Sequence, residues 1–258
     1  MSGSARPGGR GPFSLAGRVA VVSGGSSGIG AATVRRLAEA GAIAWIGYNE
    51  GRDRAASLAA ELPGAGHTPL HMPLLDSAAL AQAAERVREA HGKVDVLVNS
   101  AATTRAVPHA DLEALDDALF DRVLLTNVRG PFATIRAFRP LLAASGDAVI
   151  VNISSLSAQT GQGSSIAYCA SKAALDTMGL SLARVLGPDI RLIAISPAGV
   201  ATDFVPGRSI ESVARAAAST PLQIVTEPDD VALAVMGAVV NLRHTTGAVI
   251  TVDAGRHL

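Results

Sequence analysis

The stretch Val19-Ala20-Val21-Val22-Ser23-Gly24-Gly25-Ser26-Ser27-Gly28-Ile29-Gly30 decides the fold. Its four leading residues form an unbroken apolar run, suited to a strand covered on both faces. In the turn that follows, glycines allow positive φ and let the backbone approach a pyrophosphate closely. The helix beyond supplies amide donors and a favourable dipole. Gly24, Ser26, Ser27, Gly28, Ile29 and Gly30 are the candidate cofactor contacts of this turn. The glycine order, G-x-x-x-G-x-G, differs from the G-x-G-x-x-G of the general dinucleotide fingerprint. A tight strand-to-helix turn that binds nothing is the competing reading of these residues alone.

Outward from this stretch, short β-branched runs alternate with Ala/Leu-rich helical ones, the pattern of βαβ units and a parallel sheet. A helix over about Ala31–Ala40 ends at Gly41, and Ile43–Tyr48 reads as the second strand, followed by a helix over about Arg52–Leu62. Thr68–Met72 reads as a third strand; Pro69 and Pro73 cannot donate ladder hydrogen bonds, which assigns it to a sheet edge. A helix follows from Ser77, its expected N-cap, to about His91, then a strand at Val94–Val98. Helices near Leu112–Val128 and Phe132–Ala144 precede a strand at Ala148–Ile153, and a helix over about Ser165–Leu186 precedes one at Ile190–Ile195. An irregular segment from Ala198 to about Glu227, a helix around Pro228–Val240 and a strand at Ala248–Val252 complete the pattern. There are no internal repeats and no linker. The expected fold class is α/β: a single-domain Rossmann-type doubly wound parallel sheet of about seven strands over residues 15–258.

Composition narrows the function. The 258 residues carry 22 basic and 22 acidic side chains, and this balance argues against nucleic acid as a partner. Apolar residues are 48% and charged ones 17%, which excludes disorder for the bulk. Residues 1–14 are the exception: rich in Gly, Pro and Arg, with no apolar run behind the basic residues, they read as a disordered tail and not a secretory signal. No apolar run approaches the roughly 18 residues of a membrane span. One cysteine, Cys169, cannot form an intramolecular disulfide, which points to a reducing cytoplasm. Of the six histidines only His67 and His71 have an i,i+4 spacing, and Pro69 and Pro73 interrupt it, so no metal site is expected.

The end of the second strand bears on cofactor choice. An acid there accepts from the ribose hydroxyl of NAD and repels a 2′-phosphate. Tyr48 and Asn49 occupy that position and Arg52 can meet a phosphate, which favours NADP(H). One residue of slippage brings Glu50 nearer and keeps NAD open. Further along, Tyr168 and Lys172 stand four apart in a helical segment and share a face. A phenol with a pKa of about 10 is a poor base near neutrality, and a neighbouring ammonium lowers that value. Ser155 directly follows a strand, where ligands sit in parallel sheets.

With these residues in hand, the chain from about Leu15 to Leu258 resembles the short-chain dehydrogenase/reductase family, in its 3-oxoacyl reductase-like branch. The SGGSSGIG turn is similar to T-G-x-x-x-G-I-G. Asn127 in TNVRGPF, Ser155 in NISSLSAQTG, and Tyr168 and Lys172 in YCASKAAL match the family's catalytic Asn, Ser, Tyr and Lys. Asp76 in LLDS matches the acid that contacts the adenine amino group. Asn99-Ser100-Ala101-Ala102 resembles N-N-A-G, placing Asn99 and Ala101 beside the cofactor, and Pro197-Ala198-Gly199-Val200-Ala201-Thr202 resembles PG-x-x-x-T, with Pro197, Val200 and Thr202 lining the nicotinamide. TGAVITVDAG resembles T-G-x-x-x-x-V-D-G-G. Ala102 and Ala198 depart from the pattern, each putting a methyl where glycine is usual.

The resemblance implies hydride transfer between a nicotinamide cofactor, NADP or else NAD, and a carbonyl or secondary alcohol. Tyr168 gives or takes the proton and also contacts the cofactor, and Lys172 lowers its pKa and holds the nicotinamide ribose. Ser155 positions the substrate oxygen, and Asn127 anchors a water linking Lys172 to solvent. It also implies a substrate lid over about 203–227 and a homotetramer or homodimer. Phe204, Val205 and Ile210 are available to line the pocket, and Arg208 and Arg215 to pair with a carboxylate or phosphate. Cys169 receives no role. The turns Ser145-Gly146-Asp147 and Gly187-Pro188-Asp189, taken as part of the cleft rim, are neutral to acidic and argue against an acyl carrier protein, although Arg129, Arg136 and Arg139 lie nearby. A small free ketone or alcohol is the preferred substrate. A non-catalytic dinucleotide sensor and a 3-oxoacyl-acyl-carrier-protein reductase are the alternatives.

Overall fold

In β1 (Val19–Ser23) successive residues feed opposite cores, as the period of a strand dictates. Ala20 and Val22 pack with Val34 and Leu37 of α1 (Gly28–Glu39), whereas Val19 and Val21 pack with Leu80 and Val87 from the other side. The computed structural model describes residues 14–207 and 209–258, without the side chain of Ile210. The tail expected over residues 1–14 therefore lies, but for Ser14, outside the described residues, as do the expectations for Arg208 and the Ile210 side chain.

Among the described residues seven parallel strands form one sheet. Beside β1 they are β2 (Ile43–Tyr48), β3 (Thr68–His71), β4 (Val96–Asn99), β5 (Ala148–Ile153), β6 (Ile190–Pro197) and β7 (Ala248–Val252), in the order 3-2-1-4-5-6-7. The order reverses between β1 and β4, the topological switch point outside which ligands bind in open α/β sheets. α1, α2 (Arg52–Glu61) and a C-terminal helix over Pro228–Val240 cover one face. α3 (Ser77–His91) and two long helices over Gly130–Ser145 and Ile166–Leu186 cover the other. The proline-bearing strand β3 is one edge of the sheet, as its missing donor suits, and β7 is the other.

Three local expectations are corrected. Asp76, and not Ser77, caps α3: its carboxylate accepts from the N–H groups of Ala78 (2.9 Å) and Ala79 (3.0 Å). The helix over Leu112–Val128 begins instead as α4 (Asp117–Leu124), because the Asp116 carboxylate caps it by accepting from Leu119 N–H at 2.7 Å. It does not stop before Phe132 either. A π-helical turn (Leu125–Arg129) joins it directly to α5 (Gly130–Ser145), with Gly130 N–H reaching back to Leu125 O. Pro131 thereby falls at the start of the second helix, where its missing N–H costs little.

The remaining helices are α6 (Ser157–Thr160), α7 (Ile166–Leu186), α8 (Ile210–Ala217) and α9 (Pro228–Val240). α8 lies inside the segment expected to be irregular. Ser209 caps it by accepting from Ser212 N–H at 3.2 Å, and the alanines at 214, 216 and 217 are strong helix formers.

At the amino ends of the strands, Asp95 is the hub of a charged cluster. Its side chain is 1% exposed. It receives Arg18 at 2.8 Å, Lys93 at 3.0 Å, the Ser145 hydroxyl at 2.8 Å and Val19 N–H at 2.8 Å. Burial opposes its charge, but these donors outweigh it and hold the carboxyl below the usual range. A depressed carboxyl contributes stability that is full above its unfolded pKa of about 3.9 and is lost as pH falls through the lower folded value. Asp95→Ala is expected to cost about 3–5 kcal/mol at neutral pH, because Arg18 and Lys93 lose their shared partner. Urea denaturation at neutral and acid pH checks this; a loss below about 1 kcal/mol, the range of an exposed pair, contradicts it.

Candidate active site

At the carboxyl end of β1 the backbone leaves no room for side chains. Gly24 has φ +65°, and a Cβ there would lie 2.9 Å from the Ala101 backbone across the switch point. A Cβ on Gly30 would lie 2.2 Å from Gly24 O. The Ser23 hydroxyl fixes the facing loop by accepting from the N–H groups of Ser100 (3.2 Å) and Ala101 (3.3 Å). Ser27 precedes α1 but makes no side-chain cap, and no acid stands in the first turn. The leading amides of α1 therefore receive no side-chain cap, which leaves this helix start suited to an anion.

The end of β2 holds a cation that sequence reasoning missed. A Cβ on Gly51 would lie 2.6 Å from Arg54 Nη2 and 2.9 Å from Ser26 Oγ, so guanidinium and hydroxyl converge over Gly51. Tyr48 is half-buried against His71, while Asn49, Glu50 and Arg52 are exposed. Asp76 lies exposed after β3, one oxygen engaged in its cap. Asn99 and Asn152 sit opposite each other at the ends of β4 and β5; Asn99 Nδ2 donates to Asn152 Oδ1 at 2.9 Å, leaving Asn99 Oδ1 buried and unpartnered.

Ser165 caps α7, accepting from Tyr168 N–H at 3.2 Å, and the helix carries Tyr168 and Lys172 on one face. The Lys172 ammonium lies 5.7 Å from the Tyr168 ring centroid and donates to Ile153 O, the last carbonyl of β5, at 2.7 Å. Burial lowers Lys172 to about 8, against the opposing pull of Asp176 one turn on. Ser155 Oγ donates to Ser157 Oγ at 3.1 Å and accepts from Ser157 N–H at 3.2 Å, and it lines the same cleft as Tyr168.

Asn127 lies in the π-helical turn, buried and behind the cleft wall. Its Oδ1 accepts from Thr103 N–H (2.8 Å); its Nδ2 donates to Thr103 O (2.9 Å) and Ser171 Oγ (3.0 Å). Ser171 Oγ in turn donates to Tyr168 O at 2.7 Å. Both amide protons of Asn127 are thus spent on protein, so the side chain braces the loop after β4 against α7 and has no proton left for a water.

These elements enclose a cleft of about 510 Å³. Ser155, Tyr168, Lys172, Ile29, Pro197, Val200 and Thr202 line it, together with Phe204, whose ring lies 5.9 Å from that of Tyr168, and Val205. Arg215 does not line it: it stands on the exposed side of α8, which turns Ser212, Val213 and Ala216 to the cleft. Among the described residues the arginine on the cleft is Arg256, beyond β7, to which no motif pointed.

The turns around Asp147 and Asp189 precede β5 and β6, so they lie at the amino ends of the strands and form no part of the rim. Asp147 pairs there with Arg18 (3.0 Å) and Arg243 (2.7 Å). Ala102 and Ala198 both line the cleft with negative φ, so neither methyl strains the backbone. Ala254, where the family pattern has glycine, does adopt φ +54°, a conformation costing an alanine about 1–2 kcal/mol. Cys169 is a buried thiol pushed up by burial. Among the described residues no group of three or more His, Cys, Asp or Glu gathers to hold a metal, and no helix is long and apolar enough to cross a membrane.

The doubly wound sheet, with its glycine turn and cleft side by side at the strands' carboxyl ends, defines a Rossmann-type α/β protein. Residues 24–257 match the family model described as enoyl-(acyl carrier protein) reductase. The chain is 35% identical over 242 residues to a protein of Streptomyces violaceoruber provisionally named ketoacyl reductase 2 of the granaticin polyketide synthase, covering 93% of this chain and 96% of that protein. A provisionally assigned short-chain dehydrogenase/reductase from Burkholderia xenovorans superposes with a TM-score of 0.87 at 36% identity, over 95% of this chain and 99% of that one. A short-chain dehydrogenase from Burkholderia cenocepacia, crystallised with NADP, gives 0.85 at 32% identity, over 95% and 99%. The chain belongs to the short-chain dehydrogenase/reductase family of oxidoreductases.

Proposed function

We propose that the chain interconverts a carbonyl and a secondary alcohol on a small free molecule, with Tyr168 as the acid/base. The observation that carries this reading is the Lys172 ammonium, held by Ile153 O within 5.7 Å of the Tyr168 ring on a cleft that Ser155 shares. With a pKa of about 8, Lys172 is mostly charged near neutrality, and its field favours the phenolate. Tyr168 then gives its proton to the developing alkoxide in reduction and takes it back in oxidation. Ser155 Oγ holds the substrate oxygen, and Asn127 is a positioning residue acting through Thr103 and Ser171. A bound nicotinamide dinucleotide supplies the hydride for reduction or accepts it in oxidation.

The Gly24–Gly30 turn fits such a cofactor, because the leading amides of α1 are uncapped and Gly28 has nothing nearer to a Cβ position than Thr202 Cγ2 at 3.7 Å, which suits close approach of a pyrophosphate. Asn99, Ala101, Pro197, Val200 and Thr202 would hold the remainder, with Tyr48, Asn49 and Asp76 toward the adenosine. Convergence of Arg54 and Ser26 supports NADP(H) over NAD(H), as does the NADP in the Burkholderia cenocepacia relative. Fluorescence titration is expected to give tighter binding of NADPH than of NADH, and Arg54→Ala to weaken NADPH about tenfold or more with little change for NADH. Tighter NADH binding, or an indifferent Arg54, overturns the preference.

A 3-oxoacyl group on an acyl carrier protein is the second reading, favoured by the family-model description and the polyketide relative. The pairing of Tyr168 with a buried lysine speaks against a sensor without turnover. Segment 203–227 is read as the substrate lid, because α8 and Phe204 form part of the cleft wall. Exposed Leu125 and Phe132 on the long helical run support association with further copies of the chain, as a dimer or tetramer. The single buried thiol fits a reducing, cytoplasmic setting.

A further inference from the structure

Among the described residues two charged ones line the cleft, Lys172 and Arg256, and no acidic one does. Lys172 is committed to Ile153 O and the Tyr168 ring. The Arg256 guanidinium makes no hydrogen bond or ion pair among the described residues. We infer that Arg256 is the recognition group for a carboxylate on the substrate, at the end of the molecule away from the reacting carbonyl. The inference rests on the reading above and names the substrate class: keto acids and the corresponding hydroxy acids.

The arginine is displayed from a built turn. Asp253, 7% exposed, accepts from Gly255 N–H (3.0 Å), His257 N–H (2.9 Å) and His257 Nδ1 (2.7 Å), and Arg256 N–H donates to Asp253 O at 3.0 Å. Leu222 N–H donates to Ala254 O at 3.2 Å, and a Cβ on Gly255 would press to 2.9 Å from Pro221. The segment that follows α8 is therefore seated on the turn that carries Arg256. Asp253, the acid nearest in sequence, is spent inside that turn and does not line the cleft.

A cofactor phosphate is a poor alternative partner. Arg256 follows β7, which lies four strand spacings from β1, about 19 Å at 4.8 Å per strand. The α1 amides, Ser26 and Arg54 all stand on the β1–β2 side. The wall that Tyr168 and Arg256 share also offers Phe204, Val205, Val213 and Ala216, apolar surface suited to the body of a substrate. A guanidinium fork matches a carboxylate in a way an ester cannot reproduce.

The test uses straight-chain methyl ketones that end in a carboxylate, levulinate and its next two homologues, each against its methyl ester. Kinetics are run on the full chain, Arg256→Gln and Arg256→Lys. At least one acid is expected to have a KM about tenfold or more below that of its ester. In Arg256→Gln the acid-to-ester ratio of kcat/KM should collapse toward one through KM, and Arg256→Lys should keep part of it. No preference for any acid overturns the inference while leaving the oxidoreductase reading intact. So does an equal loss on acid and ester, or weakened NADPH binding in Arg256→Gln. If neither member of any pair turns over, calorimetric titration of the NADPH-loaded protein decides. Binding of an acid that is lost in Arg256→Gln upholds the anion site while the proposed activity fails; no binding of any acid overturns the site.

Discussion

Tyr168→Phe is expected to lower kcat/KM for carbonyl reduction by about 10³-fold, within the range of general acid–base catalysis. Phenylalanine keeps the ring, its 5.9 Å approach to Phe204 and its position 5.7 Å from the Lys172 ammonium. The variant loses the hydroxyl alone, so the main loss should fall on the chemical step, with NADPH still bound through the Gly24–Gly30 turn. Steady-state kinetics beside a cofactor titration separates the two effects. Retention of more than about a tenth of the activity would mean that another group delivers the proton, and the role assigned to Tyr168 would fall.

The second large effect is expected at Gly30. An alanine Cβ there would lie 2.2 Å from Gly24 O, 2.8 Å from Gly24 C and 3.1 Å from Gly25 Cα, all of them backbone. No side-chain rotation relieves that contact, so the turn must open. Gly30→Ala should weaken NADPH binding by about a hundredfold or more, since the displaced amides are the proposed pyrophosphate donors, and should cost about 1–3 kcal/mol of stability as overpacking does. Gly28→Ala is the contrast. Its Cβ would meet nothing nearer than Thr202 Cγ2 at 3.7 Å, and its φ of +51° costs about 1–2 kcal/mol. Fluorescence titration and thermal melts of both variants check this; NADPH binding by Gly30→Ala within about threefold of the parent would remove the turn from the cofactor site.

The sheet was legible because its central strands are buried on both faces and so carry unbroken apolar runs, Val19–Val22 and Ala148–Val151 among them. Tyr168, Lys172 and Ser155 were legible because a helix face and a strand end are local features. What escaped were long-range or subtle geometries. The π-helical turn depends on how Leu125 and Gly130 meet, and neither residue type announces it. The rim was misassigned because turns before β5 and β6 resemble turns after them in composition, though they lie at opposite ends of the sheet. Arg54 and Arg256 were missed for a related reason. Ser26, which converges with Arg54, and Ala216, which lines the cleft with Arg256, stand 28 and 40 positions away, and only folding brings them to one site.

Two supports of the cleft rest on main-chain atoms: Lys172 on the carbonyl of Ile153, and Asn127 on both peptide groups of Thr103. No substitution deletes a carbonyl, and proline alone deletes an amide proton. Each pair is thus lopsided under mutation. The chain can drift at position 103 through any residue that keeps its N–H, and at 153 through any that fills the same core volume, while 127 and 172 admit no such freedom. Half of the site's framework is in this sense written in atoms that every residue shares, which lets the loop after β4 diversify toward new substrates without loosening the residues it braces.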